Sequence, residues 1–276
     1  MRLSTCSTNH PLIISNLALY RPLIMIRFTP FLVCALLAKA SFAIPAHLSN
    51  LSRQAGDNIS GVDSCCVETP GGLLLQTQFW NTKRAQGPVD SWTVHGLWPD
   101  KCDGSFDVRC DPSREHPMAR RPPAMDGRGR IIFSTFWLGI PSNEYLWANE
   151  WNRHGTCMST IAPSCLPAGS PTGFDASIYF QKAADAFNSV PTYQFLASAG
   201  IEPDRTKKYT LDELEAAFKQ THGFIPALDC KNKELTAISY YFHLRGTLMD
   251  GTLVPLDTLK RGNCPKTGIR YLPKTN

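Results

Sequence analysis

Clusters of apolar residues separated by turn signals predict several β-strands. One buried strand is indicated by GGLLLQTQFW (71–80), and a second by SWTVHGLW (91–98), which is rich in β-branched and aromatic residues and is stopped by Pro99. A third predicted strand is AISYYFHLRG (237–246), with GTLVPL (251–256) as its hairpin partner. These segments are short and separated by polar turns, as is typical of an antiparallel sheet.

Three segments have apolar residues at helical spacing. In FDASIYFQKAADAFNSV (174–190) they recur every three or four positions, and the aromatic residues of 144–158 follow the same period. The segment TLDELEAAFKQTHG (210–223) has Thr210 as a predicted N-cap and Glu213 three residues later, which is the pattern of a capping box.

Strands and helices do not alternate regularly, and the sequence has no repeats. Residues 100–130 are dense in Pro, Gly, Arg and Asp and are predicted to form a loop. We therefore predict a single α+β domain over 63–276, with a central, mainly antiparallel sheet, packed helices and disulfide bonds. Residues 44–62 are polar and unpatterned, and are predicted to form a loose N-terminal arm.

The first 43 residues resemble a targeting segment. MIRFTPFLVCALLAKASFA (25–43) has a basic start, a short apolar run and small residues before Ala43, so Met25 is a candidate start and cleavage is expected after Ala43. The apolar run is interrupted by Lys39 and is short for a bilayer span, so no stable membrane association is expected. The mature protein is predicted to be a monomer that is secreted or enters a vacuole-like compartment.

Net charge does not indicate a global attraction to nucleic acid. The chain has 28 basic and 23 acidic residues, but four basic residues and no acidic ones lie in 1–43, which leaves 24 against 23, a net of +1. If the mature protein binds a polyanion, the positive charge must be local to a cleft.

Cysteine usage agrees with secretion. Loss of Cys6 and Cys34 with the leader leaves an even set of eight, an arrangement typical of disulfides: Cys65, Cys66, Cys102, Cys110, Cys157, Cys165, Cys230 and Cys264. No C-x2-C pair is followed by a second pair at ligand spacing, so we predict neither a metal site nor a cofactor. Two N-x-S sequons predict glycosylation at Asn50 and Asn58.

Two histidines lie in segments loaded with other reactive residues, His95 in SWTVHGLWPD and His154 in NEWNRHGTC. A lone histidine is more often an ordinary side chain than a catalyst. On a helix, however, Glu150, Arg153 and His154 would project from one face, and flanking tryptophans are unusual on a solvated surface. An acid, a fixed cation and a titratable imidazole together are typical of acid–base chemistry.

Two imidazoles and a cation suit the cleavage of an RNA phosphodiester by its own 2′-hydroxyl. One histidine removes the proton of that hydroxyl, the other protonates the leaving 5′-oxygen, and the cation offsets charge on the phosphorus oxygens. The substrate supplies the nucleophile, so neither a metal nor an activated serine is required. DNA lacks the 2′-hydroxyl and is excluded as a substrate.

The segments SWTVHGLWPD and NEWNRHGTC resemble the two active-site segments of the ribonuclease T2 family. The members of that family are secreted acid endoribonucleases. The wider segments DSCCVETPGGLLLQTQFW, PSCLP, PTYQFL and IPALDC…YYFHLRG look like the fungal branch of that family. The resemblance implies the family's α+β fold and cleavage of single-stranded RNA, with low base specificity, to 2′,3′-cyclic phosphate ends.

The resemblance also implies residue roles. His154 would be the general base and His95 the general acid, with Glu150 and Arg153 at the phosphate. Trp98, Asp100 and Phe106 would form the first base pocket. The second base pocket would be lined by Gln78, Pro141, Ser142, Asn143 and Leu146. The implied disulfides are Cys65–Cys165, Cys110–Cys157 and Cys230–Cys264.

The sequence departs from the family pattern in three places. Arg153 replaces a lysine, and Asn149 replaces a histidine that binds phosphate and assists catalysis. Asparagine can donate a hydrogen bond but cannot carry a proton's charge, so activity is expected to be lowered about tenfold to thirtyfold. The third departure concerns Cys66 and Cys102, whose partners in the family would lie in the N-terminal arm, where this sequence has no cysteine. Either these two pair with each other, or a retained leader supplies Cys34 or Cys6, or the gene model is wrong at the N-terminus.

Two further hypotheses stay open. A non-catalytic RNA-binding or host-directed secreted protein on the same scaffold would bind RNA without turnover, and the residues Asn149 and Arg153 are its only support. A stress-released cytotoxin would have the same chemistry as an enzyme of nutrient scavenging, so the sequence does not separate those two roles.

Overall fold

A five-stranded antiparallel sheet forms the centre of the computed structural model, which describes residues 63–69, 71–82, 86–116 and 127–275. The strands run in the order β2-β1-β4-β3, and β5 also pairs with β4. All four strand pairs are antiparallel, which confirms the predicted sheet. The strands are β1 (Leu73–Phe79), β2 (Thr93–Asp100), β3 (Ala227–Lys231), β4 (Glu234–Arg245) and β5 (Thr252–Leu256).

Five α-helices lie within the described residues: α1 (Gly127–Phe136), α2 (Asn143–Arg153), α3 (Phe174–Ser189), α4 (Thr192–Ser198) and α5 (Leu211–Thr221). The capping box predicted for α5 is present, because Thr210 Oγ1 accepts from the Glu213 amide while the Glu213 carboxylate accepts from the Thr210 amide. The α+β class is therefore confirmed. None of these helices is both long and apolar enough to cross a bilayer.

The structure corrects several predicted boundaries. Strand β2 does not stop at Pro99 but continues to Asp100, because β2 is an edge strand, where a proline without an amide is tolerated. Helix α1 begins inside the predicted loop 100–130, and it buries Ile132 and Phe133 in the core. Strand β3 and helix α4 were not predicted from the sequence.

The two faces of the sheet have different surroundings. One face packs against the helices through alternating apolar residues such as Leu74, Val94 and Leu97, which belong to a core cluster that includes residues of α1, α2 and α3. The other face has only a small apolar cluster, formed by Leu73, Leu75, Ala227 and Tyr241 with Trp98 and Leu256 packed against it. This second face is where a cavity opens.

Within the described residues, three disulfides join distant parts of the domain: Cys65–Cys165, Cys110–Cys157 and Cys230–Cys264. They are the three pairs that the family resemblance implies. Cys6 and Cys34 lie outside the described residues, so the pairing of Cys66 and Cys102 stays a prediction. The leader, the N-terminal arm and both glycosylation sequons, Asn50 and Asn58, also lie outside the described residues.

Candidate active site

Strand β2 presents His95 and Trp98 on the same face of the sheet because of a β-bulge. The pairing with β1 shifts register between Thr77, opposite Gly96, and Gln78, opposite Val94, so His95 is the extra residue. Residues three apart on a regular strand face opposite sides, but a bulge inserts one residue and re-aims the side chains around it. The two aromatic rings meet edge to face, with centroids 5.0 Å apart.

Helix α2 supplies the facing side of the site, and its position is fixed by buried tryptophans. Ser142 caps the helix by accepting from the Tyr145 amide. Trp147 Nε1 donates to the Trp137 carbonyl at 2.9 Å and Trp151 Nε1 to the Arg114 carbonyl at 2.7 Å. The opposite face of the helix carries Asn149, Glu150 and Arg153 to the cavity.

His154 is not inside the helix as predicted but is its C-cap. The helix ends at Arg153, although the His154 amide still donates to the Glu150 carbonyl at 2.9 Å. The predicted helix over 144–158 therefore ends five residues early and is followed by a 3-10 turn over Gly155–Cys157. The last helical hydrogen bond still brings Glu150 and His154 together.

The Glu150 carboxylate is the centre of the site and is only 1% exposed. Its Oε2 accepts a hydrogen bond of 2.8 Å from Trp98 Nε1, and its Oε1 lies 3.4 Å from His95 Nε2. Gly96 makes this approach possible, because a Cβ added there would lie 1.9 Å from Glu150 Oε2. A buried carboxylate needs such partners, since an unpaired buried charge is costly.

Aromatic faces hold both histidine rings. His154 stacks on Trp98 with centroids 5.1 Å apart, and Phe79 stacks on His95 at 4.0 Å. The Nδ1 atoms of His95 and His154 are buried and have no hydrogen-bond partner within the part of the chain that the structure describes. Ring stacking, rather than a carboxylate on Nδ1, therefore sets the orientation of each imidazole.

Burial lowers the pKa of His154 to about 4. Glu150 opposes this shift, while the cationic Arg153 and the neighbouring His95 lower the pKa further. Burial disfavours the charged imidazolium, so His154 is neutral over most of the acidic range. A neutral imidazole can accept a proton, which is the property that a general base requires.

These residues line one cavity of about 480 Å³, which also contains residues of the sheet face that carries the small apolar cluster. The residues that line the cavity are Leu75, His95, Trp98, Asp100, Gly104, Phe106, Asn149, Glu150, Arg153, His154, Ala227, Asp229, Ser239, Tyr241, Lys260, Arg261 and Gly262. Three cations are balanced by three carboxylates, so the cavity has no formal net charge while its histidines are neutral and its carboxyl groups are ionised. Burial raises the pKa of Asp100 to about 6, against the opposing charge of Lys260.

The structure does not bring every predicted residue into this cavity. Gln78 faces the opposite side of the sheet, where its amide donates to the Val190 carbonyl and its oxygen accepts from Thr192 Oγ1. Ser142 and Asn143 are used locally, since Ser142 caps α2 and Asn143 Oδ1 accepts from the Gly139 amide. Pro141 and Leu146 are likewise absent from the lining.

Sequence reasoning missed the far wall of the cavity. Ser239 and Tyr241 come from β4, Ala227 and Asp229 from β3, and Lys260 to Gly262 from the loop after β5. The register could not be predicted without the sheet order, although the alternation in β4 does place Ser239 and Tyr241 on one face. Across the described residues, no cluster of three or more His, Cys, Asp or Glu side chains has the arrangement of a metal site.

Comparison with known proteins identifies the class to which this fold and site belong. The sequence model of the ribonuclease T2 family matches residues 71–251. The chain is 47% identical over 218 residues to Ribonuclease Le2 of Lentinula edodes, covering 77% of this chain and 91% of that protein. It is 40% identical over 243 residues to Ribonuclease T2 of Aspergillus oryzae, covering 87% and 88%.

A solved structure agrees with these sequence matches. The crystal structure of Actibind, described as a T2 ribonuclease, aligns with a TM-score of 0.71 and 37% identity, covering 80% of this chain and 94% of that one. The chain therefore belongs to the ribonuclease T2 family. It is a T2-type ribonuclease, as the two histidine segments predict.

Proposed function

We propose that the protein is a secreted endoribonuclease that cleaves single-stranded RNA by metal-free transphosphorylation and leaves 2′,3′-cyclic phosphate ends. One observation carries this proposal: His95, Glu150 and His154 converge in a single cavity, with Arg153 on its lining. The nucleophile is the 2′-hydroxyl of the substrate, so DNA is not cleaved.

In the proposed reaction His154 removes the proton from the 2′-hydroxyl and His95 protonates the leaving 5′-oxygen. Glu150, 3.4 Å from His95 Nε2, pairs with that histidine when it is protonated and keeps its ring at the phosphate. Arg153 is exposed at the cavity and offsets the charge that grows on the phosphorus oxygens, while Asn149 donates a neutral hydrogen bond.

The base of the attacking nucleotide is proposed to lie between Trp98 and Phe106. Phe106 is 54% exposed and is held beside Asp100 by an isolated antiparallel bridge. Stacking is tolerant of sequence because every base has a π-face, so low base specificity is expected. We do not extend the proposal to the second base pocket, because Gln78 faces away from the cavity.

The test is to incubate the purified chain with RNA in EDTA and to identify the ends of the products. Cleavage that persists in EDTA and yields cyclic phosphates supports the proposal. Folded protein that binds RNA and never cuts it would instead support the non-catalytic alternative, for which the exchanges at Asn149 and Arg153 are the motivation. Products that appear only with added divalent metal would contradict the proposed mechanism.

The rate should depend on pH through His154. Only its neutral form accepts a proton, so kcat/KM is expected to rise as pH increases through about 4, the value to which burial lowers the pKa. Arg153 contributes to that lowering, so Arg153→Gln should move the acid limb to higher pH as well as reduce the rate. A pH–rate profile measures both, with the exposed Arg130→Gln as the control. An acid limb that does not move would show that Arg153 does not act on the base.

The exchange at Asn149 should lower activity without abolishing it. A histidine at this position can carry a proton at acidic pH and make a charge-assisted hydrogen bond to phosphate. Asn149→His is therefore expected to raise kcat/KM about tenfold to thirtyfold at acidic pH, and by less near neutral pH. Kinetics at pH 4.5 and 7 check this expectation, and an equal effect at both would rule out a protonated histidine as the cause.

A further inference from the structure

The loop between β5 and the C-terminal segment is fixed rigidly against strand β3. The Cys230–Cys264 disulfide joins them, the Asn263 amide donates to Asp229 Oδ1 at 3.0 Å, and Asn263 Oδ1 accepts from the Cys230 amide. A Cβ added at Gly262 would lie 2.1 Å from a β3 carbonyl oxygen, so the two backbones are in direct contact. This loop forms the wall of the cavity opposite the histidines.

Lys260 extends from this loop to the side of the cavity that contains Asp100. Lys260 and Asp100 line the same cavity, and the positive charge of Lys260 lowers the pKa of Asp100 against the effect of burial. Its Cδ lies 3.6 Å from where a Cβ would stand on Gly104. The aliphatic stem therefore runs beside the turn between Asp100 and Phe106, and Lys260 lines the same cavity as Trp98, Asp100 and Phe106.

We propose that Lys260 extends the range of bases that the first base pocket accepts, by donating a hydrogen bond to the keto oxygen of guanine or uracil, next to Asp100. The inference rests on the proposed function, because it assigns a role in the base pocket of that same site. It makes Lys260 the residue that widens the pocket's range to keto bases.

The chemistry of the base edges supports this role. Adenine and cytosine present an amino group, which a carboxylate can accept from, whereas guanine and uracil present a keto oxygen beside a ring N–H. A carboxylate alone accepts from the ring N–H but repels the neighbouring keto oxygen. Lysine has three donors and no acceptor, so an ammonium beside Asp100 satisfies that oxygen.

Phosphate binding is the less favoured role for Lys260. The phosphate of a nucleotide whose base lies between Trp98 and Phe106 belongs at His95 and His154, on the other wall of the cavity. The neighbouring cation Arg261 is also engaged elsewhere, with its Nη2 3.1 Å from Glu215 Oε2. The position beside Asp100 thus favours the base edge over the backbone.

The proposal is tested with four dinucleotides that share one leaving nucleoside, GpU, UpU, ApU and CpU. At pH 7, above the pKa of about 6 to which burial raises Asp100, that side chain is a carboxylate, and Lys260→Gln is expected to lower kcat/KM for GpU and UpU about tenfold more than for ApU and CpU. Lys260→Arg, which keeps a donor, should largely preserve the wild-type ratios. Lys266→Gln is the matched control, because Lys266 is exposed on the same C-terminal segment and lies outside the cavity.

The Asp100→Asn background provides a second readout. An asparagine amide can itself donate to a keto oxygen, so the selective loss caused by Lys260→Gln should shrink when Asp100 is replaced. An equal loss on all four dinucleotides would show that Lys260 acts on phosphate or through its general field, and would overturn the proposal. A Lys260→Gln variant with the wild-type kcat/KM on all four dinucleotides would overturn it as well.

Binding separates this inference from the proposed function. Calorimetry with 3′-GMP and 3′-AMP measures base preference without requiring catalysis. If the wild-type chain cleaves no dinucleotide, the proposed function fails, but a loss of 3′-GMP affinity confined to Lys260→Gln would still support the role of Lys260. If the chain cleaves and Lys260→Gln leaves both affinities unchanged, the inference alone fails.

Discussion

Replacement of either histidine should reduce RNA cleavage by about 10²- to 10⁴-fold, because each one transfers a proton in the transition state. His154→Asn and His95→Asn are the preferred variants, since they fill part of the space beside Trp98 and Phe79. His116→Asn is the control, because His116 lies outside the cavity and its backbone amide and carbonyl are hydrogen-bonded to Asn152. Circular dichroism and melting curves check that the fold is retained.

The same variants can distinguish the acid from the base. The test substrate is a nucleoside 3′-phosphodiester with an aryl leaving group. That group departs as a stable aryloxide, so it has little need of protonation by a general acid. The His95→Asn variant should therefore recover much of its activity on this substrate, whereas the His154→Asn variant should not, because the 2′-hydroxyl must still lose its proton. Recovery by the His154 variant instead would reverse the proposed roles.

The parts of the fold that the sequence predicts are those where local signals agree. Strand β1 and helix α3 have strong apolar patterns, and helix α5 has a capping box, so their positions follow from neighbouring residues alone. Helix α1 starts with Gly-Arg-Gly-Arg, which is a poor helix sequence, and it is helical because Ile132 and Phe133 pack in the core. Tertiary packing of that kind is not visible in a local window.

The candidate site divides in the same way. His95 and Trp98 are close in sequence, as are Glu150, Arg153 and His154, so short motifs were enough to find them. The far wall depends on strand order and on the loop that carries Lys260, which no local pattern connects to the histidines.

The position of Gln78 on the face away from the cavity could have been predicted from its spacing in the strand. Gln78 is three positions from Leu75, and on a regular strand residues three apart face opposite sides. Strand β1 is regular in its pairing with β4, so Leu75 faces the cavity while Gln78 faces the helices. His95 and Trp98 have the same spacing yet share a face, because β2 contains a bulge that only the pairing register reveals.

Gly96 is the residue outside the acid–base set whose replacement should cost the most. Its backbone conformation is open to any residue, but a Cβ would lie 1.9 Å from Glu150 Oε2 and 2.7 Å from Trp98 Nε1. Gly96→Ala must therefore displace the Glu150 carboxylate, breaking its hydrogen bond with Trp98 and moving it relative to His95. A misplacement of about 1 Å can cost on the order of 10²-fold in rate, so we expect a loss of that size, mainly in kcat.

A second substitution shows whether the lost activity comes from this contact. Glu150→Asp shortens the side chain by one methylene, so it should reduce activity in the wild-type background but cost less, or even restore activity, when Gly96→Ala is present. Gly127→Ala is the control, because a Cβ there meets no atom within 4 Å. A folded Gly96→Ala variant with the wild-type kcat would mean that Glu150 does not need its observed position for catalysis. Strictly additive losses in the double variant would mean that the loss caused by Gly96→Ala does not act through Glu150. If Glu150→Asp instead restores activity in the Gly96→Ala variant, the catalytic rate depends on the close packing of Gly96, Trp98 and Glu150.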